Sequence, residues 1–266
     1  MTASRNLAFV LASSSHGTLI LNRLDYCTLK PGEAFGVGHQ ILNRASFELH
    51  EVRTLQNLLT LRRNYHGNGV SVIDCGANIG VHTIELARHL DGWGEVYAFE
   101  PQERIFYALA GNIAINNCFN ARVYQAAVGA APGLMRMPVP DPQVPASFGS
   151  LELRDSLTRE DIGQPLSYHE DDMDLVEVVT IDMHDFDRLD LIKVDVEGME
   201  LDVIAGAEQT LARCRPMLLI ETVKIDAAVL RTRLAEQGYH TYPSRNNMLA
   251  VHRDDPIARH LLEPLV

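Results

Sequence analysis

The chain is poor in cysteine, and its four cysteines do not cluster. Cys27, Cys75, Cys118 and Cys214 are widely scattered and none belongs to a C-x-x-C pair. That spacing signals neither a zinc site nor a redox dithiol, and it fits reduced thiols and a cytoplasmic location. Positive charge is scarce as well: 23 Lys and Arg against 35 Asp and Glu leave a net charge of −12. A surface that follows a phosphate backbone needs the opposite balance, so the charge argues against DNA or structured RNA as a partner. The Arg62-Arg63 pair reads as a solvated helix face. Long apolar runs are missing too. Leu7 to Ala12, behind a single Arg5, is too short for a membrane span and poor as a signal peptide, and it reads as a strand. No internal repeat or low-complexity tract is present. At 46% hydrophobic residues the chain can bury a substantial core as one α/β domain with an N-terminal extension.

The glycine pattern G-x-G-x-x-G of dinucleotide-binding turns is absent. In its place stands Asp74-Cys-Gly-Ala-Asn-Ile-Gly80, behind the apolar run Val70, Val72 and Ile73 and ahead of a helix-like stretch from Val81 to Leu90. This reads as a strand, a tight turn and a helix N-terminus, built for a nucleotide-like ligand. Asp74 at the strand end suits a cationic partner such as the amino group of S-adenosylmethionine (SAM) and would repel a pyrophosphate. A second strand, Val96 to Phe99, ends in Glu100, about 20 residues past Gly80, which is the reach of a carboxylate that grips ribose hydroxyls.

The rest of the chain divides around this core. Residues 1–66 read as an N-terminal extension or cap. Within them, residues 1–45 alternate short apolar segments with turns such as Lys30-Pro31-Gly32, and Phe47 to Arg63 has helical apolar spacing. Residues 67–255 form the main domain, and 256–266 a tail. Pro101 suits the start of a helix to about Asn112, and Val123–Val128 reads as the third strand. The pattern then breaks over 130–175, where Pro132, Pro138, Pro140, Pro142, Pro145 and Pro165 cluster. Leaving the sheet at that point, the segment can lie over the ligand crevice as a lid that binds the acceptor. Strands are expected at Val176–Ile181, Leu189–Val196 and Pro216–Ile220, a helix opening at Gly198, a helix over Ile225–Gln237 stopped by Gly238, and an antiparallel final pair at Tyr239–Tyr242 and Met248–Val251.

A second cluster follows in Leu191-Ile-Lys-Val-Asp-Val-Glu-Gly-Met-Glu200. Period-two spacing puts Lys193, Asp195 and Glu197 on one face if the strand persists. Charges at the end of a buried parallel strand either pair with one another or face the ligand crevice.

Taken together, Val72–Thr83, Ala98-Phe-Glu-Pro101, Thr180-Ile-Asp182, Leu191–Glu200 and Leu218-Leu-Ile-Glu221 make the chain resemble the FkbM-type SAM-dependent methyltransferases over roughly residues 70–222. The resemblance implies an α/β, Rossmann-like class I methyltransferase fold: a mostly parallel seven-stranded sheet with helices on both faces, preceded by the β/α extension. It implies transfer of a methyl group from SAM, typically to a hydroxyl on a sugar or secondary metabolite. By position, Asp74, Gly76, Ala77, Asn78, Gly80 and Thr83 would line the methionine end of SAM. Glu100 would bind the ribose, Gln125 and Ala126 would border the adenine, and Asp195 would face the methyl-donor region. His82 stands where the family often has an aromatic residue; it reads as a helix-surface position, with a polar neighbour of the site as the alternative.

Methyl transfer to a hydroxyl needs alignment of the acceptor and a group that takes its proton. Asp195 is the first candidate base, followed by Glu197, a Lys193 of lowered pKa, and His184. Asp182, Asp195, Glu197 and Glu221 together offer a site for Mg²⁺, which would acidify a bound hydroxyl. Two rival readings use the same fold: an NAD-dependent oxidoreductase, and a SAM-binding protein without chemistry. The expected partner is a small-molecule or carbohydrate acceptor, with no nucleic acid and no membrane.

Overall fold

The computed structural model describes residues 7–30, 32–156 and 159–261. The expected turn at Lys30-Pro31-Gly32 lies partly outside them. The chain opens with a hairpin, β1 (Phe9–Ser14) and β2 (Gly17–Asn22), then a smaller one, β3 (Cys27–Lys30) and β4 (Glu33–Phe35). A short helix α1 (Val37–Arg44) follows. The sequence reading saw only strands and turns here, because α1 has few apolar positions; Ile41 is the one it buries fully. The lead-in helix α2 (Leu49–His66) turns Val52, Leu55, Leu58 and Leu59 inward, the i, i+3, i+6, i+7 stripe of an amphipathic helix. Arg62 lies on that inner side rather than in solvent. Its guanidinium pairs with Asp190 at 2.8 Å and with Asp255, and all three residues are buried.

The core then alternates β5 (Val70–Cys75), α3 (Val81–His89), β6 (Gly94–Phe99), α4 (Glu103–Ile115) and β7 (Ala121–Tyr124). The strand expected through Val128 breaks after Tyr124. Ala127–Val128 form β8 and pair in parallel with Val178–Val179, so the chain leaves one sheet for another. β9 (Gly133–Pro138) and β10 (Met173–Val179) pair antiparallel and complete a separate three-stranded sheet in the order β8-β10-β9. The proline-rich segment therefore contains regular structure that its prolines concealed: Pro138 ends a strand instead of excluding one.

After β11 (Leu191–Val194) come α5 (Glu200–Ala205) and α6 (Glu208–Cys214), where one helix was expected. The break falls at Gly206, where a Cβ would lie 2.1 Å from the Gly129 carbonyl oxygen. β12 (Met217–Glu221), α7 (Ala227–Glu236), β13 (Tyr239–Ser244), β14 (Asn247–His252) and α8 (Ala258–Leu261) close the chain.

The main sheet has seven strands in the order β13-β14-β12-β11-β5-β6-β7. The strands from β12 to β7 run parallel, and β14 and β13 run antiparallel at one edge. Alternate residues face opposite ways. Val72, Val96 and Leu191 join the core under α2, α3 and α4, which also takes in Leu19 and Leu21 of the extension. Ile73, Phe99, Ile192 and Val194 join the core under α5, α6 and α7. With both faces covered, the central strands carry almost no exposed position. This is the Rossmann-like class I methyltransferase architecture. Strand order reverses between β5 and β11, and a crevice opens beyond the C-terminal ends of such strands.

Candidate active site

A cavity of about 210 Å³ opens at that reversal point. Its floor is the turn after β5, the end of β6 and the loop after β11. The extension covers it with Phe35, Val37, Gln40, Phe47 and Glu48, and the insertion with Ser147, Gly149, Ser150, Leu151 and Leu153. Asp25 joins these two covers: its carboxylate accepts from Gly38 N at 2.8 Å and from Phe148 N at 3.1 Å. Burial pushes its carboxyl up to about 6 against those two hydrogen bonds.

The turn after β5 is held from both sides. Gly76 N and Ala77 N each donate to Phe99 O at 3.0 Å. Gly76 has φ +78° and packs so tightly on the next loop that a Cβ would lie 1.7 Å from the Asp195 carbonyl oxygen, so glycine alone fits. Asn78, at φ +50°, donates its N–H to Glu100 Oε2 at 3.0 Å, and Gln102 N donates to Glu100 Oε1 at 2.9 Å. Glu100 is 4% exposed. Burial pushes its carboxyl up to about 7, against the two N–H donors and with help from the charges of Asp74 and Asp195.

Asp74 lies behind the cavity rather than on its lining. It is fully buried. Thr83 Oγ1 donates to its Oδ2 at 2.7 Å, while Oδ1 has no hydrogen-bond partner and sits 3.9 Å from Lys193 Nζ. Lys193, directly across the β5–β11 pairing from Asp74, also donates to Asp195 Oδ2 at 3.1 Å. Burial alone would lower the Lys193 pKa. Asp195, Asp74, Glu51 and Glu48 outweigh it and hold the ammonium above the ordinary lysine range. Lys193 is therefore a fixed cation, which opposes the role of a lysine base of lowered pKa.

β11 ends at Val194, so the charged residues beyond it do not continue a strand face. Asp195 N still donates to Cys75 O. Glu197, at φ +55°, puts Oε2 2.5 Å from Lys224 Nζ. Glu200 caps the loop, accepting from Val196 N and Gly198 N at 3.1 Å. Asp195, Glu197 and Glu221 bring carboxylate oxygens within 4.8 Å of one another. Burial raises the Glu221 carboxyl, and the charges of Asp195 and Glu200 raise it further. Asp182 is not in this group: its oxygens accept from Gln209 N and Thr210 N at the start of α6.

Of the site candidates read from the sequence, Gly76, Ala77, Asn78, Glu100, Ala126, Lys193, Asp195 and Glu197 line this cavity. Gly80 and Thr83 lie beneath the turn, against Leu109 and Asp74. Gln125 lines a neighbouring cavity beside Gln102 and Phe148. His184 packs among Phe99, Tyr124 and Phe186, off the lining, and burial lowers its pKa. Glu48 was not singled out in the sequence, where it stands at the start of the lead-in helix. His82 is 6% exposed instead of on a helix surface; the missing aromatic at its position was the available signal.

The lining carries five carboxylates (Glu48, Glu100, Asp195, Glu197, Glu221), with Lys193 the one Lys or Arg among them. Such walls fit a donor with a sulfonium and an ammonium, and they disfavour a pyrophosphate. SAM therefore fits the residues present.

Comparison with known proteins agrees. A methyltransferase FkbM domain model matches residues 74–241. The 31-O-demethyl-FK506 methyltransferase FkbM of Streptomyces tacrolimicus is 31% identical over 204 residues, 68% of this chain and 75% of that protein. Methyltransferase 1 of Beauveria bassiana is 25% identical over 179 residues, 63% of this chain and 71% of that protein. Among solved structures, a methyltransferase FkbM from Methylobacillus flagellatus aligns with a TM-score of 0.49 at 21% identity, covering 69% of this chain and 44% of that one. Among the described residues no helix is long and apolar enough to cross a membrane.

Proposed function

This chain belongs to the FkbM family of SAM-dependent methyltransferases, and on that premise we propose that it methylates a hydroxyl oxygen of a sugar or secondary metabolite. The observation that carries the reading is the cavity itself. It lies at the reversal point of the sheet, with Glu100 and Asp195 both on its wall and Asp195 beside a fixed cation. The printed name of the Streptomyces relative, which specifies an O-demethyl acceptor, supports oxygen as the atom methylated.

When bound, SAM supplies an activated methyl group for in-line displacement at carbon. The chain's own work is alignment and exclusion of water. Glu100 would accept from the ribose hydroxyls while its backbone donors hold the carboxylate in place. Lys193 fixes Asp195 beside the acceptor space. The insertion covers that space, an arrangement that suits an acceptor-binding lid. Asp195, Glu197 and Glu221 present oxygens in a geometry that would hold Mg²⁺, which acidifies a hydroxyl it contacts.

The test is to incubate the protein with methyl-labelled SAM and with acceptor panels of methyl glycosides and 31-O-demethyl-FK506, and then with fractionated cell extract. A labelled methyl ether supports the reading. Label found only on nitrogen or carbon overturns it. Calorimetry adds a second check: S-adenosylhomocysteine (SAH) should bind and NAD should not, and tight NAD binding without SAH would favour an oxidoreductase.

A further inference from the structure

His82 occupies the first turn of α3, is nearly buried, and still forms part of the cavity wall. Its two ring nitrogens meet different surroundings. Nε2 is shut off from solvent and turned toward the extension, 3.1 Å from Glu51 Oε1 and 3.7 Å from Glu48 Oε2, a charge contact without an aligned hydrogen bond. Nδ1 has no hydrogen-bond partner among the described residues. Phe47 meets the ring edge-on, with centroids 6.5 Å apart and planes at 84°. Glu51 is itself anchored, because its other oxygen accepts from Asn247 Nδ2 at the start of β14. Two carboxylates facing Nε2 favour the tautomer that carries its proton there, and the aromatic edge limits the tilt of the ring.

Asp195 and Glu197 on the lining are each engaged by an ammonium, Lys193 and Lys224, whereas His82 Nδ1 has no such partner among the described residues. We propose that His82, oriented by Glu51 through Nε2, is the base that takes the acceptor's hydroxyl proton on Nδ1. The inference rests on the hydroxyl reading above. In the step, the acceptor oxygen forms a bond to the methyl carbon as the bond from that carbon to sulfur breaks. The bonding pair stays on sulfur, and the proton passes to Nδ1. Glu51 and Glu48 then face the imidazolium and stabilise its charge. Glu51 is a positioning residue; His82 is the one that touches the acceptor. The charged groups that face the ring are Glu48 and Glu51 of α2, and Lys193 and Asp195 lie on the same cavity wall.

Two measurements on the full-length chain test this. The first needs no acceptor. Nitrogen-15 NMR of histidine-labelled protein saturated with SAH should show His82 at pH 8 as a neutral ring with its proton on Nε2 and a bare Nδ1. In Glu51→Gln that preference should be lost. A proton on Nδ1 at pH 8, or a divalent metal held by His82, Glu48 and Glu51 in the purified chain, overturns the proposal. The second uses methyl-labelled SAM with methyl glycosides as probe. His82→Ala should lower kcat about 10²–10⁴-fold, with SAH affinity within twofold and partial rescue by added imidazole, and Glu51→Gln should shift the acid limb of the pH profile. An unchanged kcat in His82→Ala overturns the proposal. If the wild-type chain methylates no hydroxyl probe, the hydroxyl reading fails, and the NMR result still decides the state of His82.

Discussion

The Glu100 carboxylate accepts the backbone N–H of Asn78 at 3.0 Å, which ties the end of one central strand to the glycine turn of the next. Glu100 thus shapes the glycine turn as well as lining the cavity. Burial has raised its pKa to about 7, so its charge changes within the working range. A ribose hydroxyl donates best to the ionised form. SAH affinity should therefore rise between pH 6 and pH 8 in calorimetric titration, and the rise should vanish in Glu100→Gln. For the protein without cofactor the sign is opposite. A carboxyl whose folded pKa is raised contributes stability that is present below its unfolded value of 4.5 and lost as pH climbs through 7. Comparison of wild type with Glu100→Gln isolates this effect from that of Asp25, raised to about 6 for a similar reason.

Glu100→Ala carries a separate expectation. It removes the acceptor of two backbone N–H groups, Asn78 and Gln102, in a buried corner. The cost should be about 1–3 kcal/mol of stability. SAH affinity should fall at least tenfold without unfolding the chain. Urea denaturation and calorimetry read the two effects independently, and unchanged affinity would remove Glu100 from the ribose site.

Lys193 and Asp74 form a buried pair in which each needs the other. Asp74 Oδ1 has no hydrogen bond and faces Lys193 Nζ at 3.9 Å. Lys193→Met leaves a buried carboxylate with Thr83 as its remaining partner, and it should cost about 3–5 kcal/mol in urea denaturation. Adding Asp74→Asn should return much of that loss, because the uncompensated charge is gone. A double variant as unstable as the single one would show that the methylenes of Lys193, and not its charge, hold the strand ends together.

Arg62 separates structural from functional charge. It bridges Asp190 and Asp255, and Asp190 also accepts from Ser71 N and Arg188 Nε. This network joins α2 to the far ends of β5 and β11, away from the cavity. Arg62→Ala should destabilise the chain by about 3–5 kcal/mol. The SAH affinity of the molecules that remain folded should not change. A loss of affinity at constant folded fraction would mean that the network reaches the site.

The parts of this molecule legible in its sequence are those where local pattern and tertiary role coincide. Asp74, Gly76 and Gly80 mark a strand–turn–helix because the turn needs glycine whatever packs around it. Glu100 was found by its distance from that turn. The C-terminal pair β13–β14 followed from alternation and a glycine stop. What was not legible depends on contacts between distant segments. Arg62 looks like a solvated residue until Asp190 and Asp255 arrive from 128 and 193 positions away. β9 hides among prolines because its partner β10 begins after residue 170. At His82 the departure from an aromatic residue marks the position, but not the partners Glu48 and Glu51 that reach it from α2. His184, a chemically attractive residue in the sequence, packs instead into a ring cluster with Phe99 and Phe186.

Lys224 links the insertion to the loop after β11. Its ammonium sits 2.5 Å from Glu197, 3.0 Å from the Ser150 carbonyl, 3.4 Å from Glu160 and 3.7 Å from Glu152. Burial opposes the charge of Lys224, and Glu197, Glu160 and Glu152 more than restore it, raising its pKa. One side chain therefore joins β12's exit, the loop after β11 and the cover of the cavity. Lys224→Met should leave three carboxylates facing one another without a cation, and the insertion should swing away from Glu197. Trypsin should then cut faster after Arg154 and Arg159, with SAH dissociation at least severalfold faster in stopped-flow. SAH at saturating concentration should slow the cut if ligand and cover stabilise each other. Cleavage at the wild-type rate in Lys224→Met would mean that the Asp25 bonds to Gly38 and Phe148 hold the cover by themselves.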